Sequence, residues 1–364
     1  MKLLIAINSL ATGGAEKLLL DSIPEYIRRG VEVDLLLLDG TDSAFLGELK
    51  LRAPHCRVIS LGHGSCYRPW LVLQIVPILR RYDIVNVHLF PALYWVALAK
   101  LLSRSATKLV YTEHSTSNKR RNGRLLGAID RFIYRRYDRV ICISTSVKDA
   151  LRQHLRSGDA KLVTIPNGVD LGQLHRAQPF AAAELPLLAA GKRLLLQVSS
   201  FIYPKDQATL IRALPLLAES VELVLVGVGA MQDECRQLAM QLGVAHRVHF
   251  LGVRLDVPRL LKSVDVVILS SRHEGLSLSS IEGLASGKPF VASDVPGLAD
   301  IVAGAGVLFP QGDERALAQA ITALLDDDVH RAAVVAACVE RSRPYGIDAM
   351  LEQHLALYAM AADW

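Results

Sequence analysis

Short, mainly apolar runs alternate with helical segments along nearly the whole chain, and this alternation restricts the possible folds more than any other feature. The first runs lie at residues 3–8, 31–38, 84–87, 108–112 and 139–143. After the turn residues Pro166, Asn167 and Gly168 the pattern restarts, with runs at residues 194–198, 222–226, 247–251, 265–269, 290–292 and 306–309. Strands of this kind are buried on both faces, which is typical of parallel sheets covered by helices.

Two doubly wound α/β domains are therefore predicted, which suits the length of 364 residues. We place the first domain at residues 1–172 and the second at residues 173–346. Open parallel sheets bind ligands beyond the carboxyl ends of their strands. We therefore expect a ligand-binding cleft between the two domains.

The net charge of +5 is concentrated in one segment. Between Lys119 and Arg139, eight basic residues outnumber two acidic ones, so this segment carries +6 and the rest of the chain −1. Apolar residues lie between the basic ones and predict a helix with one apolar face. We expect the segment to bind an anionic membrane surface and not nucleic acid. Its acceptor- and membrane-binding residues would be Lys119, Arg120, Arg121 and Arg124. The alternative is a solvated basic helix whose apolar face packs on the core.

Cysteine usage and hydropathy favour a cytoplasmic protein on the inner face of the membrane. The five cysteines include no Cys-x-x-Cys pair, which argues against a disulfide framework and a thiolate zinc site. The longest apolar stretch, residues 84–102, is interrupted by Asn86, His88, Pro91 and Lys100, which disfavours a membrane span. The apolar run after Met1 is too short for a signal peptide.

The segment from residue 270 to 283 is the most informative about chemistry. It follows the predicted strand 265–269 and enters a helix near Ser277, so backbone N–H groups at that helix start could bind phosphate. Gly275 would let a ligand approach closely, and the carboxylates of Glu274 and Glu282 could accept hydrogen bonds from sugar hydroxyls. Taken alone, the pattern also fits a solvent-facing helix start with an ordinary cap.

The surroundings of these two glutamates resemble the donor-site signature of retaining GT-B glycosyltransferases of family 4. The resemblance lies in Glu274-Gly275-Leu276, in Ile281-Glu282-Gly283 and in residues 285–297. Further matches follow in the family's order: the glycine loop 13–16, the linker 163–170, the phosphate-lysine segment 204–211 and the turn 226–229. The resemblance implies two Rossmann-like domains that face each other across a cleft, with the C-terminal helix 347–364 returning to the first domain.

The resemblance also implies roles for the residues that match. Glu282 would bind the donor ribose, Glu274 a hydroxyl of the transferred sugar, and Lys205 the diphosphate. His114 would contact the reacting sugar, which makes His114, Glu274 and Lys205 the expected catalytic residues. The other expected donor-binding residues are Gly13, Gly14, Ser200, Gly252, Val253, Arg254, Gly275, Leu276, Ser277 and Leu278. His88 follows a strand end and could line the acceptor site, the alternative being a hydrogen-bonded structural histidine.

The sequence departs from the family at two of these positions. Ser200 stands where the family usually carries an arginine that pairs with the diphosphate, and Ser277 replaces a common proline. Lys205 and the helix start would then hold the phosphate charge. No Asp-x-Asp follows a strand in a donor-like context, so we expect neither a metal nor another cofactor.

These features together predict an enzyme, a hexosyl- or N-acetylhexosaminyltransferase. It would move a sugar, with retention, from a UDP-sugar to a glycan or polyprenyl-diphosphate-linked acceptor, in bacterial surface polysaccharide or lipid-linked oligosaccharide synthesis. Two alternatives remain open: a nucleotide-sugar epimerase of the same architecture, and a non-enzymatic adaptor for membranes or nucleic acid. A dehydrogenase is disfavoured, because Gly13-Gly14 lacks the Gly-x-Gly-x-x-Gly spacing that a dinucleotide requires.

Overall fold

The computed structural model describes residues 1–116, 121, 123–156, 159–188 and 191–363. This part of the chain falls into two compact units: Met1–Asn167 with Ile347–Trp364, and Gly168–Gly346. The sequence-based boundary at 172/173 lies slightly later in the chain than the observed one.

A parallel sheet forms the centre of the first unit. Its strands, within the described residues, are β1 (Lys2–Ile7), β2 (Glu32–Leu37), β3 (Val58–Ser60), β4 (Ile84–His88), β5 (Lys108–Glu113), β6 (Arg139–Cys142) and β7 (Leu162–Thr164). They are arranged in the order β3-β2-β1-β4-β5-β6-β7. The five predicted strands are confirmed. The two edge strands β3 and β7 were not predicted, because each has only three residues and is largely half-exposed, so neither forms an apolar run.

Helices connect these strands and cover the sheet. They are α1 (Gly14–Arg28), α2 (Ala44–Arg52), α3 (Leu71–Leu79), α4 (Ala92–Ser103), α5 (Arg124–Tyr134) and α6 (Thr145–Leu155). Helix α1 contacts α2, whereas α3, α4, α5 and α6 form a second layer in which each helix contacts the next. A glycine turn before α1 brings the start of this helix to the carboxyl edge of the sheet.

The second unit repeats this architecture with a smaller parallel sheet. Its described strands are β8 (Arg193–Val198), β9 (Val221–Val226), β10 (Val248–Phe250), β11 (Val266–Leu269), β12 (Phe290–Asp294) and β13 (Val307–Pro310), in the order β10-β9-β8-β11-β12-β13. All were predicted, because most of them are built on apolar runs; β10, with the sequence Val248-His249-Phe250, is the exception. The strand order reverses between β8 and β11, which is where open α/β sheets bind ligands. The helices are α7 (Leu171–Arg176), α8 (Gln207–Ala213), α9 (Gln232–Gln241), α10 (Val257–Ser263), α11 (Leu278–Ala285), α12 (Ala299–Val302), α13 (Glu314–Asp326) and α14 (Asp328–Ser342).

The last helix, α15 (Ile347–Ala359), returns to the first unit, as predicted. It packs against α1, where the Tyr26 hydroxyl lies 2.6 Å from Nδ1 of His354. The amide of Asn86, on β4, donates a hydrogen bond of 2.8 Å to the Tyr358 hydroxyl. All four side chains are buried, so α15 completes the core of this unit.

None of the helices in the described ranges combines the length and the apolar character that crossing a bilayer requires.

Candidate active site

Lys205 and Glu274 meet at the carboxyl edge of the second sheet. Lys205 follows β8 and Glu274 follows β11, and these strands are neighbours. The Lys205 ammonium and the Glu274 carboxylate form an ion pair, and Oε1 of Glu274 also accepts a hydrogen bond of 2.6 Å from Oγ of Ser271. Both contacts involve Oε1, and no described residue hydrogen-bonds Oε2. The Glu274 side chain, only 8% exposed, is therefore anchored through one oxygen and can offer the other to a ligand hydroxyl.

Gln197, the penultimate residue of β8, joins the two loops that carry this ion pair. Its buried side chain accepts hydrogen bonds from the backbone N–H (3.2 Å) and hydroxyl (3.0 Å) of Ser270 and donates to the Lys205 carbonyl at 3.0 Å. This residue was not predicted as part of the site. The only signal in the sequence is a polar residue inside an otherwise apolar strand, which by itself does not indicate a role.

Gly297 permits the close packing that holds the backbone of Glu274. It has a φ of +86°, and a Cβ built there would lie 2.4 Å from the Glu274 carbonyl oxygen and 2.6 Å from that of Gly275. Any other residue would displace the loop, because these are backbone contacts below the distance that real Cβ atoms show. The turn after β12 therefore fixes where the carboxylate of Glu274 lies.

Helix α11 begins where the sequence predicted. Ser277 is the N-cap residue, and its hydroxyl accepts a hydrogen bond of 3.2 Å from the backbone N–H of Ser280. The remaining first-turn N–H groups of a helix have no partner within the helix, and the helix dipole makes this end positive. Leu276 and Leu278 have buried side chains, so a ligand would meet their backbone only. Glu282 lies one turn into α11 and is also buried.

The remaining predicted donor-binding residues of this unit lie in loops after β8 and β10. The carbonyl of Ser200 accepts a hydrogen bond of 3.0 Å from the side chain of Gln207. Gly252 has a φ of +66° and accepts a hydrogen bond of 2.8 Å from the backbone of Gly227. Val253 follows Gly252 in the same loop. The Arg254 guanidinium donates to both carboxylate oxygens of Asp256, at 2.7 and 2.6 Å, and its side chain is partly exposed, so a ligand could meet its backbone or its remaining N–H groups.

A second cation lies beside the Lys205 loop and was not predicted. The guanidinium of Arg272 donates to Oδ1 of the buried Asp206 at 2.9 Å and lies over the ring of Tyr203, 4.8 Å from its centroid. Its backbone N–H bonds the Pro204 carbonyl at 2.8 Å. Ser200 stands where the family usually has an arginine. Arg272 places a positive charge at the same carboxyl edge of the second sheet, from a different loop.

In the first unit, the predicted glycine loop forms the start of α1. Gly13 is the N-cap residue with an extended backbone, and a Cβ there would lie 2.3 Å from the carboxylate of Glu16. Gly13 thus leaves room for Glu16 to fold back over the helix start, whereas a Cβ at Gly14 would meet nothing within 4 Å. Burial raises the pKa of Glu16.

His114 and His88 contact each other at the carboxyl edge of this unit's sheet. His114 follows β5 and is partly exposed, whereas His88 ends β4 and is 1% exposed. Nδ1 of His88 lies 3.0 Å from Nε2 of His114. Burial lowers the pKa of His114 to about 4 and that of His88 well below its usual range, so both rings are neutral at neutral pH. The prediction that His88 lines the acceptor site is corrected: its side chain is buried and hydrogen-bonds His114 instead of facing an acceptor.

Arg121 is also corrected, because its side chain is not available to a membrane surface. The guanidinium is buried and pairs with Oε2 of Glu113 at 2.6 Å, while the Tyr134 hydroxyl donates to the same oxygen. The net charge of the segment was counted as if every arginine were exposed to solvent. The carboxylate of Glu113, at the end of β5, neutralises the charge of Arg121. Lys119, Arg120 and the side chain of Arg124 lie outside the described part of the chain.

Helix α5 exposes a row of apolar side chains that the core does not cover. They are 41–74% exposed and comprise Leu125, Leu126, Ile129 and Phe132, which we call the α5 outer face. Ile133 points inward and is buried. The exposed Arg135 and Arg136 end the helix, and the Arg136 guanidinium lies 4.3 Å from the centroid of the Phe132 ring. The alternative in which this apolar face packs on the core is therefore wrong for these four residues.

Within the described ranges, no three His, Cys, Asp or Glu side chains are grouped so that they could hold a metal ion.

Two protein-family models match the chain, one in each half. The model described as Glycosyltransferase Family 4 matches residues 12–173, and the model described as Glycosyl transferases group 1 matches residues 192–327. Together they cover most of both units.

Curated relatives carry similar descriptions. An uncharacterized glycosyltransferase of Methanocaldococcus jannaschii is 29% identical over 61% of this chain. The chain spans 60% of that relative's length. A UDP-Gal:alpha-D-GlcNAc-diphosphoundecaprenol alpha-1,3-galactosyltransferase of Escherichia coli is 28% identical, with 68% of each chain aligned.

Among solved structures, HepE of Anabaena in complex with UDP-glucose has a TM-score of 0.85 and is 25% identical, with 99% of each chain covered. HepE has also been solved with UDP and with UDP and glucose.

Proposed function

The chain belongs to glycosyltransferase family 4 and has the GT-B fold, and we propose that it transfers a sugar from a UDP-sugar to a glycan or polyprenyl-diphosphate-linked acceptor with retention. The observation that carries the choice of donor is the likeness to HepE, which was solved with UDP and with UDP-glucose at 25% identity over nearly the full length. In this proposal the second unit binds the donor and the first unit receives the acceptor.

The donor would bind at the carboxyl edge of the second sheet. Oε2 of Glu274 would accept a hydrogen bond from a hydroxyl of the transferred sugar, since Oε1 is already held by Lys205 and Ser271. The Lys205 ammonium has three N–H donors, so it can bind the diphosphate without leaving Glu274. Glu282 would accept hydrogen bonds from the ribose hydroxyls, and the start of α11 would face the phosphates.

Retention requires the new bond to form on the face from which the old one leaves. The bond between the anomeric carbon and the phosphate oxygen breaks while the acceptor oxygen attacks from the same side. The departing diphosphate takes the proton of the acceptor hydroxyl. Lys205 and the N-terminus of α11 stabilise the negative charge that develops on the phosphate, and fixed charges and dipoles of this kind supply a large part of many enzymes' rate enhancement.

The α5 outer face supports a membrane-bound acceptor. Exposed apolar side chains next to arginines are typical of helices that lie in the interface of an anionic bilayer. Each basic residue near such a surface contributes about 1 kcal/mol. The E. coli relative is named for an acceptor linked to diphosphoundecaprenol. We therefore propose that the α5 outer face binds anionic membranes, where a lipid-linked acceptor would be found.

The donor is tested by comparing UDP, GDP, ADP and their sugars in a thermal-shift experiment, followed by product analysis. A ligand at 100 times its dissociation constant adds about 2.7 kcal/mol to the free energy of unfolding, so UDP and one of its sugars should raise the melting temperature most. Equal or larger shifts with GDP or ADP would contradict the UDP assignment. Formation of a new nucleotide sugar without any acceptor would indicate an epimerase instead.

Membrane binding is tested by co-sedimentation with anionic and neutral vesicles at low and high salt. The wild type should sediment with anionic vesicles, less so as salt rises. One variant combines Leu125→Ser, Leu126→Ser and Phe132→Ser, and a second combines Arg135→Ser with Arg136→Ser. Both should bind less, whereas a control with Lys50→Ser and Leu51→Ser, exposed on α2, should bind as the wild type does. A wild type that ignores anionic vesicles would overturn the proposal.

A further inference from the structure

The two ring nitrogens of His88 have different surroundings. Nδ1 lies 3.0 Å from Nε2 of His114. Nε2 is buried and has no hydrogen-bond partner among the described residues. Asn86, on the same strand, bonds other groups: its Oδ1 accepts from the Thr112 hydroxyl at 3.0 Å and its amide nitrogen donates to the Tyr358 hydroxyl at 2.8 Å.

The low pKa values of His88 and His114 keep both rings neutral, so each ring has one proton on one of its two nitrogens. The hydrogen bond between the rings needs one N–H and one bare nitrogen. Only two arrangements satisfy it: either His88 donates from Nδ1, or His114 donates from Nε2.

These arrangements differ in whether Nε2 of His88 carries a proton. If His114 donates, His88 carries its proton on Nε2, and that N–H is buried without an acceptor. If His88 donates, Nε2 is a bare nitrogen without a donor. Among buried backbone groups, N–H donors without a partner are rarer than under-satisfied acceptors. Applying the same rule to the ring nitrogens favours the second arrangement.

We propose that His88 is a positioning residue that holds His114 in the tautomer with its proton on Nδ1, so that His114 donates a hydrogen bond to an oxygen of the transferred sugar. This inference rests on the proposed function and on the role that the family resemblance implies for His114, which is contact with the reacting sugar. No described residue hydrogen-bonds Nδ1 of His114, so this N–H is available to a ligand. In this tautomer Nδ1 cannot accept the proton of the acceptor hydroxyl, and that proton passes to the leaving diphosphate.

The tautomer can be measured without substrate, by long-range ¹H–¹⁵N correlation spectra of the full chain labelled with ¹⁵N-histidine at neutral pH. Protonated and bare ring nitrogens have well-separated ¹⁵N shifts, and the signals of His114 are assigned from their loss in His114→Gln. We expect protons on Nδ1 of both His114 and His88. A proton on Nε2 of either ring would overturn the proposal.

Two variants of His88 separate positioning from packing. Asn can place an amide N–H near the position of Nδ1, whereas Leu fills a similar volume without a donor. His88→Leu should lower kcat by about tenfold, the loss expected when one hydrogen bond is removed. It should change KM for the UDP-sugar less than about twofold and release His114 into mixed tautomers. His88→Asn should retain the Nδ1 tautomer of His114 and most of kcat.

The proposal fails if folded His88→Leu keeps both the tautomer and kcat, or if folded His88→Asn loses as much kcat as His88→Leu. Near-ultraviolet circular dichroism checks the fold of each variant, and the wild-type spectrum decides alone if His88→Leu does not fold. A chain with the expected tautomer but without UDP-sugar transfer would contradict the proposed function and leave the tautomer standing.

Discussion

Lys205 and Glu274, 69 residues apart in the chain, form an ion pair in which the carboxylate is almost completely buried. Lys205→Met removes the cation, and breaking a buried pair from one side costs roughly 3–5 kcal/mol. Adding Glu274→Gln removes the unpaired charge, so the double variant should regain most of that stability. It should still lack transferase activity, because both groups act on the donor.

Urea unfolding and a transfer assay measure the two effects on the same proteins. Lys192→Met is a matched control, since Lys192 pairs with Glu222 at the start of β9 and has no part in the site. An active double variant would show that this ion pair serves stability alone.

Glu282→Ala should weaken UDP binding, because two hydroxyl groups of the ribose lose a charged acceptor. Charge-assisted hydrogen bonds contribute roughly 1.5–3 kcal/mol, so isothermal calorimetry should detect the loss readily. Glu234→Ala, exposed on α9, should leave the UDP affinity unchanged. Equal affinities of Glu282→Ala and the wild type for UDP would remove the ribose assignment.

Activity should survive EDTA, because the proposed mechanism neutralises the diphosphate with Lys205 and the N-terminus of α11. Initial rates of sugar transfer with and without chelator measure this directly. Complete loss in EDTA, with recovery on adding manganese or magnesium, would show that a metal ion provides this charge.

Acid should destabilise the protein through the histidines whose pKa burial lowers. Burial lowers the pKa of His354 and of His114 to about 4. Histidines of the unfolded chain titrate near pH ~6.5. Between these values the unfolded state binds more protons, so the stability present above pH ~6.5 is lost as the pH falls toward 4, by up to about 1.4 kcal/mol per pH unit for each group.

His354→Asn removes one of these groups and keeps a hydrogen-bonding side chain beside Tyr26. Its free energy of unfolding should therefore fall less steeply with decreasing pH than that of the wild type. Urea titrations at several pH values between 7 and 5 compare the slopes. Identical slopes would mean that His354 does not resist protonation in the folded state.

The sequence predicts most of the fold because each strand can be recognised from a short local stretch of residues. Most predicted strands are runs of mainly apolar residues, whereas the two edge strands that were not predicted, β3 and β7, have only three residues each. The burial of the His88 side chain could not be predicted from such a local pattern. The residue ends a strand, but one of the groups that lower its pKa is His354 on α15, 266 residues away in the chain.

The site residues that could be predicted are those whose place follows from their position in the chain relative to a strand. Lys205, Glu274 and Ser277 follow strand ends, so a parallel sheet must bring them to one edge. The side-chain contacts around these residues could not be predicted. The polar link from Gln197 to Ser270 and the pairing of Arg272 with Asp206 join residues more than 60 positions apart, and no local pattern encodes them.

The chain leaves its first unit at Asn167 and re-enters it only at Ile347. The ribosome therefore completes all of β8 to α14 before it makes the helix that meets Tyr26 and Asn86. Domains fold as units during synthesis, usually the N-terminal one first, but here the part made first is finished last. A nascent chain halted just before Ile347 holds a complete second unit and an open first one, so the first unit can complete its core only after the last helix has been made.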